Sequence, residues 1–477
     1  MAGLARLRVL DDGEIARIHR SSLEVLASTG VRMPHRRMLE LFAEAGATLA
    51  DGGSVRIPPE LVESCLADAG RSFVLQGRDP GRRARFGFGD RNYNSIAGEA
   101  LWLDHRSGER RAPTLADVRS AAVVGDAMGR IGMVGAMADP ADVPVRVRCV
   151  EVARELLRST TKPVTFWFYD RASAAYLVEL AVAVAGSPEE AASHPPFYPF
   201  LEPVSPLAFT PNGVDLLFET ARIPLPVPIG PMAQLGATAP GTIAGTLVQE
   251  NAEILAGICV VELIRRGTPV CYGGIPHAHD MRTSQLVFSG PEQSLMAVAM
   301  AQMGSHYGLP VYINVGLTDA KVPDAQAGLE IGISLLGGML SGADIFGHMG
   351  ISGVDQAASL SMLALQEEAI DFLERLYRGF AVDEETLALP VIRDVGPGGN
   401  YLGHEHTVRH FREELWFPRI LDRQYFDHWV GEGRRETAER CRERIDRILA
   451  THRPVEPEPA LAREMDRIVA AARRELL

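Results

Sequence analysis

The amino-acid sequence predicts an α/β fold: a (β/α)₈ barrel with a helical extension before it and helices after it. From about residue 131, short apolar runs alternate with helical patterns, as in a sheet covered on both faces. Eight such runs and seven helices span about 260 residues, the size of such a barrel. An open doubly wound sheet is the alternative, but its first strand-to-helix junction, GAMADPADVP, lacks a GxGxxG turn.

The predicted strands are continuous apolar runs bounded by Gly, Pro or polar residues. They are 132–137, 163–169, 197–203, 225–232, 269–274, 310–316, 343–348 and 389–392. Apolar residues at helical spacing mark the segments between them. These predicted helices are 147–160, 173–185, 212–222, 241–266, 291–307, 325–341 and 355–379.

The two ends of the chain predict additions to this barrel. Residues 1–130 contain helices that end at glycines, such as the one ending at Gly30, and short strands and hairpins over about 72–112. Residues 431–477 form two charged amphipathic helices, which we expect to pack on the barrel or on a second subunit in a homo-oligomer. The predicted units are therefore 1–130, the barrel at 131–430, and 431–477.

Composition and charge exclude several classes of function. The net charge of −13 argues against nucleic acid and anionic membrane surfaces as partners. The N-terminus lacks the apolar core of a signal peptide, and no apolar run reaches 18 residues, so we expect a cytoplasmic protein. The five cysteines are widely spaced without CxxC, which favours reduced thiols over disulfides or a cysteine-based zinc site.

In such a barrel, functional side chains collect where the strands end. Aromatic and acidic residues are frequent at these predicted positions, and such a combination suits a quaternary ammonium group, which donates no hydrogen bonds. The candidate cage residues are Tyr93, Trp102, Phe166, Phe168, Tyr272 and Tyr312. Glu202 and Asp319 are candidates for an electrostatic role. The other candidate binding residues are His277, His279, Asn314, His348, Asn400 and Tyr401.

The histidines also raise the alternative of a metal centre. His277 and His279 form an HxH pair, and His404, His406 and His410 form HEH…H. A catalytic zinc ion requires three protein ligands, and the HxH pair lies in a proline-containing loop rather than on a strand. We therefore expect no bound metal.

Several segments resemble one known family. GGNYLGHEHTVRHFREELWFPRILDRQYFDHW (398–429) closely resembles the C-terminal signature of the trimethylamine methyltransferase family, which includes members acting on glycine betaine. SPLAFT (205–210), the segment 231–274 and NVGLTDAKVPDAQAGLE (314–330) are similar to that family as well. The resemblance covers roughly residues 15–430.

The resemblance implies a barrel that binds a methylated amine and a separate corrinoid protein that docks over it. The Co(I) of that partner takes the methyl group, so the chain itself needs no bound cofactor and no nucleophile. Archaeal trimethylamine enzymes of this family carry pyrrolysine, whose matching position lies around Gly316 and Leu317. This chain has ordinary residues there. The resemblance therefore favours glycine betaine or a related betaine as substrate.

A betaine also needs a partner for its carboxylate. The candidates are His348, His277, His279, Arg282, Arg409 and the backbone N–H groups of 396–399. Other functions stay open on the sequence alone: a trimethylamine or other methylamine methyltransferase, a noncatalytic quaternary-amine-binding barrel, and a metal-dependent hydrolase or lyase. Direct transfer to tetrahydrofolate is a further alternative.

Overall fold

The structure is a computed structural model that describes residues 6–477. The first five residues of the predicted N-terminal extension, and of the segment examined for a signal peptide, lie outside this range.

The chain alternates short strands with longer helices. The strands are β1 Val31–Arg32, β2 Thr48–Ala50, β3 Ser54–Arg56, β4 Phe73–Gln76, β5 Arg83–Phe86, β6 Asn92–Ser95, β7 Trp102–Leu103, β8 Arg110–Arg111, β9 Val134–Gly135, β10 Val164–Thr165, β11 Val227–Ile229, β12 Gln234–Leu235, β13 Val270–Gly274, β14 His277–Asp280, β15 Gln285–Val287, β16 Val311–Ile313, β17 Ile345–Met349, β18 Ile351–Ser352 and β19 Ala357–Ala358. The helices are α1 Asp12–Ser28, α2 Arg36–Glu44, α3 Pro59–Asp68, α4 Leu115–Ala127, α5 Val145–Ser159, α6 Arg171–Ala185, α7 Pro188–Ser193, α8 Pro211–Thr220, α9 Ile243–Ile264, α10 Pro291–His306, α11 Ala325–Ser341, α12 Leu360–Arg378, α13 Glu384–Leu387, α14 Leu389–Val395, α15 Glu405–Glu414, α16 Phe426–Gly431, α17 Thr437–Thr451 and α18 Pro459–Leu476.

A parallel sheet forms the centre of this α/β fold. Its five strands lie in the order β11-β13-β16-β17-β6, and every neighbouring pair is parallel. Strands β9 and β10 form a second parallel pair. Since parallel strands need long crossover connections, each of these strands is followed by a helix that returns the chain to the opposite end of the sheet.

Backbone contacts connect the pair β9-β10 to both edges of the five-stranded sheet. A parallel bridge between Asn94 and Met133 joins β6 to the start of β9. The N–H of Val164 donates to the carbonyl of Pro196 at 2.9 Å, which joins β10 to the segment 196–201. A parallel bridge between Leu201 and Ile229 joins that segment to β11.

The two faces of the sheet pack against different partners. On one face, Tyr272 of β13 donates its hydroxyl to Asn251 of α9 at 2.7 Å, within a large apolar cluster. On the other face, which we call the inner face, the neighbouring Cys271 packs with the hairpin β4-β5, represented by Phe73 and Phe86. This alternation is the ordinary consequence of strand geometry.

The structure removes one predicted strand of the barrel and adds one that was not predicted there. The segment 389–392 is not a strand; it lies in helix α14, where Pro390 occupies the first turn and Ile392 is 50% exposed. Strand β6, Asn92–Ser95, instead belongs to the main sheet, although the sequence assigned it to the N-terminal extension. The sequence did not indicate this strand because its residues, NYNS, are mostly polar and lack the apolar pattern of a buried strand.

The chain ends pack on the outside of the helices. Helix α1 packs against α9, α17 against α4 and α12, and α18 against α5 and α6. All five cysteines are buried and free. Within residues 6–477, no helix has both the length and the hydropathy needed to cross a membrane.

Candidate functional site

Four aromatic rings meet at the carboxyl ends of the sheet strands. Going round, Trp167 lies 6.3 Å from Phe200, Phe200 lies 5.6 Å from Tyr312, and Tyr312 lies 5.7 Å from His348, all between ring centroids. The circuit closes because His348 lies 6.5 Å from Trp167. We call these residues the four-ring cluster.

Separate elements supply the four rings. Trp167 follows β10, Phe200 lies in the segment 196–201, Tyr312 is in β16, and His348 is in β17. The indole N–H of Trp167 donates to the carbonyl of Gly98 at 2.8 Å, which fixes the orientation of this ring. The Tyr312 ring requires a glycine beside it, because a Cβ on Gly347 would lie 2.0 Å from the Tyr312 hydroxyl.

Three carboxyl groups form a second feature of the site. Glu99 and Asp355 interact through a side-chain hydrogen bond, which requires one of the two carboxyl groups to be protonated. Burial and the charge of Asp355 raise the pKa of Glu99 to about 9, and burial raises the pKa of Asp355 to about 6. The surrounding protein and Asp355 also raise the pKa of Glu202 to about 7, although Glu202 is accessible to solvent.

The two histidines near the site are neutral at pH 7. Burial lowers the pKa of His277 to about 4, and burial together with His277 lowers that of His348 to about 3. His277 donates from Nδ1 to the carbonyl of Ile275 at 2.7 Å, so its Nε2 is left as an acceptor. This Nε2 has no partner within residues 6–477, and neither does the side-chain amide of Asn314.

A cleft of about 510 Å³ opens beside the four-ring cluster. Trp167, Phe200 and Glu202 line it together with several neutral polar residues. These neutral polar residues are Ser205, Thr210, Asn212, Gln234 and Thr238. The described residues that line the cleft include no lysine or arginine, and Glu202 is the acidic residue among them.

Four of the predicted cage residues pack in the core instead. Tyr93 stacks on Phe346 and donates its hydroxyl to Glu374 at 2.6 Å. The remaining three are also buried: Trp102 in strand β7, Phe166 against Phe168 and Phe197, and Tyr272 against helix α9. None of these four side chains is among the described residues that line the cleft. Their role in a cage stays a prediction.

Two predicted aromatic residues do lie at the site. Tyr312 belongs to the four-ring cluster, and Phe168 lines the cleft while stacking on Phe166 at 5.2 Å. Among the predicted polar residues, His348, His277 and Asn314 lie at or beside the strand ends, and Glu202 lines the cleft.

The other predicted polar residues have different environments. Asp319 accepts backbone N–H groups from Phe288 and Ser289, at 2.9 and 3.2 Å, and thereby holds the loop before α10. His279 lies in the hairpin β14-β15, with its Nδ1 buried and unpartnered within the described chain.

Asn400 and Tyr401 are exposed between α14 and α15, so they do not follow a sheet strand as predicted. Arg282 and Arg409 were predicted to bind a substrate carboxylate, but each forms an ion pair with an acidic side chain instead. Arg282 lies 2.8 Å from Asp280, and Arg409 lies 3.6 Å from Glu385 on the helical segment.

The sequence analysis missed Trp167, Phe200, Glu99 and Asp355. Trp167 was missed because the sequence analysis chose Phe166 and Phe168 from the FWFY segment by strand alternation, whereas this segment follows β10 and places Trp167 and Phe168 together in the cleft. Glu99 was missed because strand β6 was not identified. Asp355 follows Val354, and both have left-handed φ values, 57° and 63°, in an irregular loop that sequence patterns do not specify.

Comparisons with known proteins agree on one family. A family model described as trimethylamine methyltransferase matches residues 1–476. Glycine betaine methyltransferase from Desulfitobacterium hafniense strain Y51 is 30% identical over 475 residues, covering 99% of this chain and 98% of the relative.

Two further relatives are named trimethylamine methyltransferase MttB. The protein from Desulfitobacterium hafniense strain DCB-2 is 30% identical over 464 residues, covering 96% of this chain and 93% of the relative. The protein from Methanosarcina barkeri strain Fusaro is 28% identical over 486 residues, covering 98% and 95% respectively.

Proposed function

The chain belongs to the trimethylamine methyltransferase family, and we propose that it transfers a methyl group from a quaternary amine to a corrinoid held by a partner protein. The proposed substrate is glycine betaine or a related betaine. The observation that carries this proposal is the four-ring cluster beside a cleft that Glu202 lines and that has no basic side chain among its described lining residues. The similarity to a glycine betaine methyltransferase supports the same substrate.

The proposal includes a closed (β/α)₈ barrel. Strands β6, β9, β10, β11, β13, β16 and β17, with the segment 196–201, would be its eight strands. The bridges Asn94–Met133 and Leu201–Ile229, together with the Val164–Pro196 hydrogen bond, support closure. The carboxyl ends of these strands would then form a mouth around the four-ring cluster, the usual position of an active site in this fold.

Ring faces and carboxylates suit a quaternary ammonium group for a simple reason. The group carries a permanent charge but no N–H, so it binds through the negative faces of aromatic rings and through ionic attraction. At pH 7 the Glu99–Asp355 pair carries about one negative charge, since the two pKa values lie on either side of 7. Glu202 adds a partial negative charge at the cleft.

In the proposed reaction the bond between nitrogen and one methyl carbon breaks. Its electron pair stays on nitrogen, giving a neutral tertiary amine. The reduced corrinoid, which is a substrate here, supplies the electron pair that bonds the methyl carbon. The chain positions the ammonium group so that one methyl group faces the acceptor. Since the positive charge disappears from nitrogen, the attraction of the product to Glu202 is lost and the amine is released.

The carboxylate of a betaine would lie against the neutral polar residues of the cleft. The neutral His277 cannot donate from Nε2, because its single ring N–H is already bonded to Ile275. The hydroxyl and amide groups of Thr210, Asn212 and Gln234 are the available donors along the cleft. This arrangement keeps the negative end of the substrate away from the carboxyl groups that hold its positive end.

The corrinoid protein would dock over the same edge of the sheet. Three apolar side chains are exposed in loops that follow sheet strands: Val204, Met281 and Val322, at 49, 71 and 50%. Apolar side chains of this kind, surrounded by polar ones, are typical of protein contact surfaces.

The test combines binding and turnover. Calorimetric titration of the full chain would compare glycine betaine, proline betaine, carnitine, choline and trimethylamine. Methyl transfer to reduced cobalamin would be followed by its absorbance and by the appearance of the demethylated amine. We expect binding and transfer with a betaine. Equal binding of choline would contradict carboxylate recognition, and binding without transfer to any corrinoid acceptor would favour the noncatalytic alternative.

Trimethylamine is the second candidate substrate. The similarity to proteins named trimethylamine methyltransferase MttB supports it, as does the absence of lysine and arginine among the described cleft residues. Gly316, near the position that the sequence aligns with pyrrolysine, has a φ of 77°, and a Cβ there would lie 2.8–2.9 Å from Met349 and Leu335. This position has no room for a large side chain, which favours the betaine.

A further inference from the structure

A cluster of metal-ligand side chains lies on the helical segment after α12, outside the four-ring cluster. His406 and His410 are four residues apart on α15, so both project from the same face. Glu385 of α13 lies against them. One ligand atom from each of the three residues lies within 4.8 Å of the other two.

The distances in this cluster suit a tetrahedral ion. His410 Nε2 lies 3.1 Å from Glu385 Oε1, and the rings of His406 and His410 lie 4.3 Å apart. Two ligands bound to one zinc ion at its usual bond lengths are about 3.3 Å apart in tetrahedral geometry. Closing the cluster on an ion therefore requires only small side-chain movements.

We propose that Glu385, His406 and His410 bind one zinc ion, with water in the fourth position. Two imidazoles and a carboxylate are ligands that zinc accepts, whereas calcium and magnesium prefer oxygen ligands alone. The site is separate from the proposed methyl transfer, because none of its residues lines the cleft. Its role is to hold two parts of the chain together.

The local structure explains what the ion stabilises. Helix α13, which carries Glu385, has only four residues. It is joined to α15, which carries the two histidines, by α14 and the loop around Asn400. Such a short helix is unstable without tertiary contacts. The surrounding segment also exposes apolar side chains, such as Phe380 and Leu402, so it has little core of its own. A zinc ion shared by α13 and α15 would fix this segment.

Arg409 modulates the site. Its guanidinium lies 3.6 Å from Glu385 Oε1, the oxygen that also contacts His410. The guanidinium group of Arg409 is positively charged at pH 7. The same positive charge repels a cation, so Arg409→Gln should bind zinc more tightly than the unaltered chain.

The experiment uses the full chain after treatment with a chelator. Calorimetric titration with zinc chloride should give one ion per chain. His406→Ala, His410→Ala and Glu385→Gln should each weaken binding at least tenfold. His428→Ala is the matched control, because His428 is an exposed histidine of α16 outside the cluster, and it should bind zinc normally. Circular dichroism would verify that each variant is folded.

A second measurement tests whether the zinc ion holds α13 and α15 together. Limited proteolysis should cut within 380–431 more slowly when zinc is bound, and this protection should be lost in His406→Ala but kept in His428→Ala. The proposal is overturned if no zinc binds stoichiometrically, or if the three ligand variants bind as well as the control. Stoichiometric zinc binding without protection from proteolysis would contradict the proposed role of the ion in holding α13 and α15 together. Methyl-transfer activity is measured separately, so failure here is distinct from failure of the proposed function.

Discussion

The carboxyl groups of Glu99 and Asp355 hydrogen-bond to each other beside the four-ring cluster. Burial and the charge of Asp355 raise the pKa of Glu99 to about 9, and burial raises the pKa of Asp355 to about 6. At pH 7 the pair therefore holds one proton and about one negative charge, which a cationic substrate would experience.

If Asp355 is the member of this pair that carries the charge, the two single substitutions should have unequal effects. Glu99→Gln would then replace a neutral donor with another, so betaine binding should change by less than about threefold. Asp355→Asn would remove the charge and should weaken binding roughly tenfold, about 1.4 kcal/mol. Calorimetric titration of both variants at pH 7 measures this difference. Equal losses in the two would show that the charge is shared between the two carboxyl groups.

Binding of a quaternary amine should depend on pH through Glu202. The carboxylate form attracts the cation, and its pKa of about 7 in the empty site means that this form becomes populated as pH rises. Affinity should therefore rise through pH 7 and level off above it, and at most about tenfold should be lost per pH unit below 7.

The control for this pH effect is Glu202→Gln. Its affinity should be lower at pH 8 and nearly flat between pH 6.5 and about 8. Titration in two buffers of different ionisation enthalpy would also detect the proton released as betaine binds near pH 7. If Glu202→Gln keeps the full pH dependence of binding, a group other than Glu202 causes it.

Trp167→Ala should weaken betaine binding about thirtyfold, because a desolvated cation–π contact contributes about 2 kcal/mol. Phe166→Leu is the neighbouring control. Its ring is buried against Phe197 rather than in the cleft, so this change should lower thermal stability and leave binding nearly intact. The reverse pattern would place Phe166 in the cage, as the sequence suggested, and exclude Trp167.

Tyr93→Phe tests the reassignment of a predicted cage residue to the core. The change removes a buried hydrogen bond to Glu374, which should cost about 1–2 kcal/mol of folding free energy. Betaine affinity should not change. Denaturant unfolding and calorimetric titration of the same sample would separate the two effects, and weaker binding without loss of stability would contradict the reassignment.

Much of the candidate site followed from the positions of strand ends. Glu202, Tyr312 and His348 could be predicted because they lie where continuous apolar runs end, and parallel strands end at the same edge of a sheet. The other rings could not be chosen in this way. Phe166 and Trp167 lie after the end of β10, where strand alternation does not decide which ring faces the cleft, so Phe166 was selected and Trp167 was not.

The sequence by itself determined the alternation of strands and helices, the family and the type of chemistry, since these depend on local periodicity and on motifs contiguous in the chain. Tertiary structure alone decided which side chains meet. It revealed β6 as a sheet strand, because its polar residues are stabilised by contacts far away in sequence. It also brought Glu99 close to Asp355. The pKa values of such a pair depend on distance and burial, which no local sequence pattern encodes.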